Sequence, residues 1–302
     1  MLTHMRLLSS SKEPKFTFPV FNPDSKTSYL VKDITGLGPP PENLAISDYA
    51  FYDGAGFVTS RTDKRNIVVR MSYRPRLAEG ETVQLLRRRL YNMFPKKTPI
   101  LMEFISDDMP AVTIVGYVET HEPVIFSATP ATDISIICPQ PGFLHSIESV
   151  IALPNSEITQ SPYITVSNPG DLPVGVRYEL RFDRTAPDSP DDMIVYFEHL
   201  LPNGEIHRMD IENSKIISQV GARLLKDDLI IFDSRPHYRQ LTLKRDVFTY
   251  NIMRSLSNRM NPTHWAMVPP GEVHKFRYGV LTPAVFAKTS AIIKLTPMYE
   301  GL

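Results

Sequence analysis

Apolar residues recur at every second position in four short stretches of the chain. Ile67, Val69, Met71 and Tyr73 form one such row, and Val112, Ile114, Gly116 and Val118 another. Val176, Tyr178, Leu180 and Phe182 alternate with Arg177, Glu179 and Arg181, and Phe276, Tyr278 and Val280 follow the same rule. Successive side chains of a strand point to opposite faces, so each row predicts a strand buried on one side. Asn203-Gly204, between MIVYFEHL and EIHRMDI, predicts a tight hairpin. A second glycine turn, Asp53-Gly54-Ala55-Gly56, precedes a charged crossing that feeds the strand at Ile67.

Helical spacing is confined to two segments. In ETVQLLRRRLYNMF, residues Glu81 to Phe94, Val83, Leu86, Leu90 and Met93 share a stripe, Pro95 stops the helix, and Lys96 and Lys97 complement its C-terminal dipole. A shorter helix is predicted from about Thr249 to Met260, with Ile252, Met253 and Leu256 on its apolar side and Asn261-Pro262 ending it. The 27 prolines stand between short apolar runs, where they break helices and suit connections between strands. The pattern is that of a mainly β protein with two domains. Pro139, Pro141 and Gly142 interrupt two β-rich halves and set the boundary, giving domains 1–143 and 144–302. The first half carries the longer helix.

Composition narrows the function classes. A chain of 302 residues can bury a large core without covalent staples. Basic and acidic residues are equal at 33 each, so no overall field favours nucleic acid or an anionic membrane. Cys138 is the sole cysteine, which excludes an internal disulfide and a cysteine zinc cage, and suits a small buried residue in DISIIC. The start MLTHMRLLSSSK has no apolar core of signal-peptide length, and no run approaches the roughly 20 apolar residues of a membrane span. The expectation is a protein made in the cytoplasm and kept soluble until assembly.

Candidate chemistry is sparse. The pairs Asp107-Asp108, Asp191-Asp192 and Asp227-Asp228 lie in turn-like sequence, and adjacent residues of a strand face opposite ways, so they read as turn or solvent residues. The eight histidines include no HExxH motif; His264 and His274 flank the Pro269-Pro270-Gly271 turn without a carboxylate in ligand register. No GxSxG elbow occurs, and Gly36, Gly38, Gly54 and Gly56 form no phosphate loop. The expectation is no catalytic residue, no metal, no cofactor and no enzyme activity. Arg87, Arg88 and Arg89 are either a solvated helix face or a subunit contact, since arginine is favoured at interfaces. Trp265 is either a packing residue or a sugar-stacking platform.

Two sets of residues resemble siphophage distal tail (Dit-type) proteins, the hubs of the phage tail baseplate. In the first half these are ITGLGP, then DGAGF with Asp53, Gly54 and Gly56, then a basic residue before an Ile-Val strand. In the second half they are Asp233 and Ser234 after LIIF, Trp265, the Pro270-Gly271 turn, and the closing Tyr299, Glu300 and Gly301. The turn departs from the family's Pro-Gly-Glu-Asn pattern, with Val273 after Glu272. The resemblance covers roughly Lys26 to Leu302.

It implies an N-terminal β-sandwich-like, ring-forming domain with one α-helix and a C-terminal galectin-like β-sandwich. It further implies a homohexameric ring at the distal end of a long non-contractile tail in the virion. The ring would stand between the tail tube protein and the tail-tip or tail-associated lysin-type protein. Tape-measure protein and DNA would pass through the lumen, and a receptor-binding protein is a further candidate partner. Two alternatives stand beside it: a carbohydrate-binding β-sandwich adhesin and a two-domain β-rich hydrolase. A lectin should gather exposed aromatics and amides on one face; a hydrolase should show a nucleophile or metal constellation.

Overall fold

The computed structural model describes residues 1–21, 27–124, 129–154, 159–183, 189–236, 238–256 and 265–302. It is mainly β and divides into two compact units, one of Met1–Ser146 with Tyr299–Leu302, the other of Ile147–Met298. The final four residues thus belong to the first unit.

The first unit contains β1 (Leu2–Leu8), β2 (Pro14–Pro19), β3 (Tyr29–Thr35), β4 (Glu42–Asp48), β5 (Ala55–Thr62), β6 (Arg65–Tyr73), α1 (Val83–Met93), β7 (Pro99–Ser106), β8 (Val112–Val124), β9 (Ala131–Cys138) and β10 (Phe143–His145). Seven of these strands form an antiparallel sheet in the order β2-β1-β7-β8-β9-β6-β3. Its two edges meet, because Val20 bridges Val31 and the Phe21 N–H donates to the Val31 carbonyl at 3.1 Å. Closure removes the exposed edges that would otherwise template aggregation. The period-two row of β6 is wholly internal: Ile67, Val69, Met71 and Tyr73 are buried among Met5, Phe18, Met102, Ile114 and Ile136. Helix α1 adds Leu86 and Leu90 to that core, and Phe94, which caps its C-terminus, joins them. Its cap is Thr82, whose hydroxyl accepts from the Leu85 N–H at 3.2 Å, satisfying one of the free donors of the first turn.

The second unit contains β11 (Ser149–Leu153), β12 (Ile164–Ser167), β13 (Val174–Gly175), β14 (Arg177–Phe182), β15 (Ile194–Leu200), β16 (Ile206–Glu212), α2 (Asn213–Val220), β17 (Leu229–Asp233), β18 (Gln240–Arg245), β19 (Phe248–Asn251), β20 (Met267–Val268), β21 (Val273–Val280), α3 (Pro283–Phe286) and β22 (Thr289–Leu295). Sheets in the orders β11-β22-β14-β17-β18-β19 and β12-β21-β15-β16 share one core. Tyr178, Leu180 and Phe182 of β14 meet Phe197 of β15 and Phe276 and Tyr278 of β21 there; the Tyr178 and Phe197 rings are 4.5 Å apart. The Asn203-Gly204 hairpin joins β15 to β16, with the Leu201 N–H donating to the Glu205 carbonyl at 2.9 Å.

Three local expectations are corrected. The helix expected from Thr249 is strand β19 as far as Asn251, followed by a single 3-10 turn at Met253–Ser255; residues 257–260 lie outside the described residues. Pairing decides the matter: Thr249 and Tyr250 sit opposite Lys244 and Leu243 of β18, where a β-branched and an aromatic side chain fit the pleat. A helix absent from the expectation, α2, ends at Gly221, whose positive φ of 77° is the usual left-handed stop. The charged crossing after the Asp53-Gly54 turn is strand β5. Asp107-Asp108 and Asp191-Asp192 lie in bends and turns and Asp227 in a turn, yet Asp228 follows that turn fully buried and paired with Arg245 at 2.6 Å.

Candidate assembly surfaces

Strands β4 and β5 pair with each other and, among the described residues, with no other strand. Their link runs from Tyr49 to Gly54, and Gly54 takes φ 104°, open to glycine alone at low cost. Asp53, Gly54 and Gly56 thus shape the tip of a hairpin, with the Tyr49 N–H donating to the Gly54 carbonyl at 3.3 Å. Leu44 and Ile46 are next-but-one on β4, and Ile46 lies directly opposite Phe57, so these three share a face. None is covered: Phe57 is 67% exposed, and Phe51 at the tip 91%. A two-stranded ribbon is marginal alone in water, and this one presents apolar side chains on an uncovered face.

The arginines of α1 diverge. Arg89 turns back to Glu81 at 3.0 Å. Glu81 is buried and also accepts from the Ser28 hydroxyl at 2.6 Å; that bond, with Arg76 and Arg89, holds its carboxyl below the ordinary range. Arg87 is half-buried beside Tyr73, and its Nε is buried with no partner among the described residues. Arg88 alone of the three is exposed without an ion pair among the described residues. The block is therefore one outward cation and two residues tied to their own unit.

In the second unit the motif residues converge. Asp233 ends β17 buried, accepting from the Arg235 backbone at 3.1 Å and from its guanidinium at 2.6 and 2.9 Å. The Ser234 hydroxyl bridges the backbones of Val176 and Ala266. Next to Ala266, the Trp265 ring stacks on Phe232 at 5.3 Å and 12°, with the Arg239 guanidinium 5.8 Å from its centre. The Pro270-Gly271 turn is held by a bond from the Gly271 N–H to the Asn168 carbonyl at 3.2 Å. These residues join strands.

His264 lies outside the described residues, and His274 pairs instead with His199, ring nitrogens 2.6 Å apart, and with Glu272 at 2.9 Å. Among the described residues no group of three or more histidine, cysteine or acidic side chains is placed to hold a metal. No helix among them is long and apolar enough to cross a membrane. Burial pushes the Cys138 thiol up to about 12, which leaves it a packing residue.

Two clusters escape the sequence patterns. Glu198, buried on β15, accepts from Arg277 and, at 2.9 Å, from the Tyr163 hydroxyl, while Arg208 lies 3.8 Å over the Tyr196 ring. Outward positions of alternating strands were the available signal, since Glu198 sits between the inward Phe197 and His199. The other cluster is centred on Arg65, a buried guanidinium whose bonds run to backbone carbonyls.

No family model and no curated protein sequence matches the chain. Solved structures do. The chain resembles the Dit protein of phage SPP1, described as a paradigm of the hub adsorption apparatus in phages infecting Gram-positive bacteria, with a TM-score of 0.63 at 13% identity over 90% of this chain and 93% of that one. A chain of the phage P2 baseplate in its activated conformation with calcium matches at a TM-score of 0.52 and 8% identity over 100% of both chains. At such identities the likeness is one of fold, and the fold is that of phage Dit and baseplate proteins.

Proposed function

We propose that this protein is a structural distal tail, or baseplate hub, protein of a long non-contractile phage tail, located in the virion and without enzymatic activity. Its first unit forms a homo-oligomeric ring, hexameric by family resemblance, that joins the tail tube to the tail-tip apparatus. The observation that carries this reading is the uncovered β4–β5 hairpin. Leu44, Ile46 and Phe57 present an apolar face to solvent, and a neighbouring copy of the same chain is the partner that a ring supplies to each subunit in turn. A closed ring needs two different patches on every subunit, because a self-complementary patch stops at a dimer. The hairpin is one patch, and the outer surface of the closed sheet of the adjacent subunit is the other.

The partners follow from that position: tail tube protein on one side, tail-tip or lysin-type protein on the other, tape-measure protein and then DNA through the lumen, and a receptor-binding protein at the periphery. The Phe57→Asp variant tests the interface. It should leave the monomer folded, because Phe57 contributes little to any core, and should abolish assembly measured by light scattering with the tube and tip partners present. Unchanged assembly of Phe57→Asp would remove the hairpin from the interface.

A further inference from the structure

Arg65 opens β6 opposite Cys138 and is 1% exposed. A buried cation normally needs a carboxylate or a full set of hydrogen bonds. Here the guanidinium has carbonyls: its Nε donates to Pro141 at 2.7 Å, one terminal nitrogen to Gly36 at 2.7 Å and also to Gly38, and the other to Glu300 at 2.5 Å. The Phe143 ring lies under it, 4.4 Å from centroid to guanidinium carbon. Three segments far apart in sequence thus turn their backbones towards one charge. Gly36 permits this approach, since its φ is 83° and a side chain there would meet the Asn66 carbonyl.

Of those segments, two precede the second unit and one, Tyr299–Leu302, follows it. Tyr299 is buried in the first unit's core, the Glu300 carbonyl accepts from Arg65, and the Leu302 N–H donates to the Leu37 carbonyl at 3.0 Å. We infer that Arg65 is a clasp by which this segment completes the first unit, so that the first unit reaches its native stability only after the entire second unit has been made. Without the segment a buried guanidinium N–H loses its acceptor; without the guanidinium, inward-facing carbonyls lose the donor that holds them together. The stability consequence is independent of the ring. Its extension, that only chains carrying both units can enter a ring, rests on the function proposed above.

Three full-chain variants test the clasp: Arg65→Met, deletion of residues 300–302 with Tyr299 retained, and the two combined. Hydrogen exchange read by mass spectrometry should rise on the order of tenfold or more across β6 and β9 in each single variant, with β14 and β21 unchanged. The combined variant should cost less than the sum of the two single ones, because both remove the Arg65–Glu300 bond. If Arg65→Met does not fold, Arg65→Lys replaces it; a single nitrogen cannot reach all the carbonyls, so its exchange should still rise. Unchanged exchange in the deletion variant, or additive effects in the combined one, would overturn the clasp. Exchange involves no assembly step, so this outcome is distinct from a failure of the ring reading, in which exchange would respond as described while the intact protein formed no ring.

Discussion

Trp265 shows how one side chain separates two functions. Stacked on Phe232 but only partly buried, it should cost about 2–4 kcal/mol when replaced by alanine, somewhat less than a fully enclosed aromatic. Thermal melting checks this, and a glycan array on the folded variant checks the adhesin alternative: a stable Trp265→Ala protein that has lost specific sugar binding would favour the lectin. Cys138, buried and with its thiol raised to about 12, should resist alkylation in the native protein and react only on unfolding. Arg70 bonds Asp133 at 2.7 and 2.8 Å, and that pairing depresses the acid. A depressed carboxyl stabilises above its unfolded value of about 4 and ceases to do so as pH falls through the lower folded value. Acid titration of Asp133→Asn should therefore show a shallower loss of stability below about pH 4 than the parent, and a modest one, because Arg70 is half exposed.

Elements differ in how plainly the sequence announces them. The rows ending at Tyr73, Phe182 and Val280 were legible because one face of each strand is buried and the other wet, so period two survives in the residue types. Strand β5 was not, because neither face of it packs inside its own chain and GFVTSRT carries no alternation to read. Ile252, Met253 and Leu256 mimic a helical stripe, but pairing with β18 holds Phe248–Asn251 as strand and leaves only a 3-10 turn at Met253–Ser255 after it; α2 is short, and only its glycine stop marks it. Arg65 was legible only as a basic residue before a strand, since backbone carbonyls leave no signature in side-chain identity. At this scale, α1 should behave as core. Leu90→Ala removes a fully buried side chain and should destabilise the first unit by about 2–5 kcal/mol in denaturant unfolding, whereas Ile46→Asp on the hairpin should leave the unfolding midpoint of the monomer nearly unchanged.

For the whole molecule, the fold resembles that of phage Dit and baseplate proteins, and the β4–β5 hairpin leaves an apolar face uncovered; the ring proposed above rests on that hairpin. The most direct test is negative-stain imaging of the purified full-length protein, alone and mixed with its tail tube and tail-tip neighbours. Closed rings of a uniform copy number, built through the first unit, are the expected result. A protein that stays strictly monomeric in the presence of both neighbours would contradict the ring.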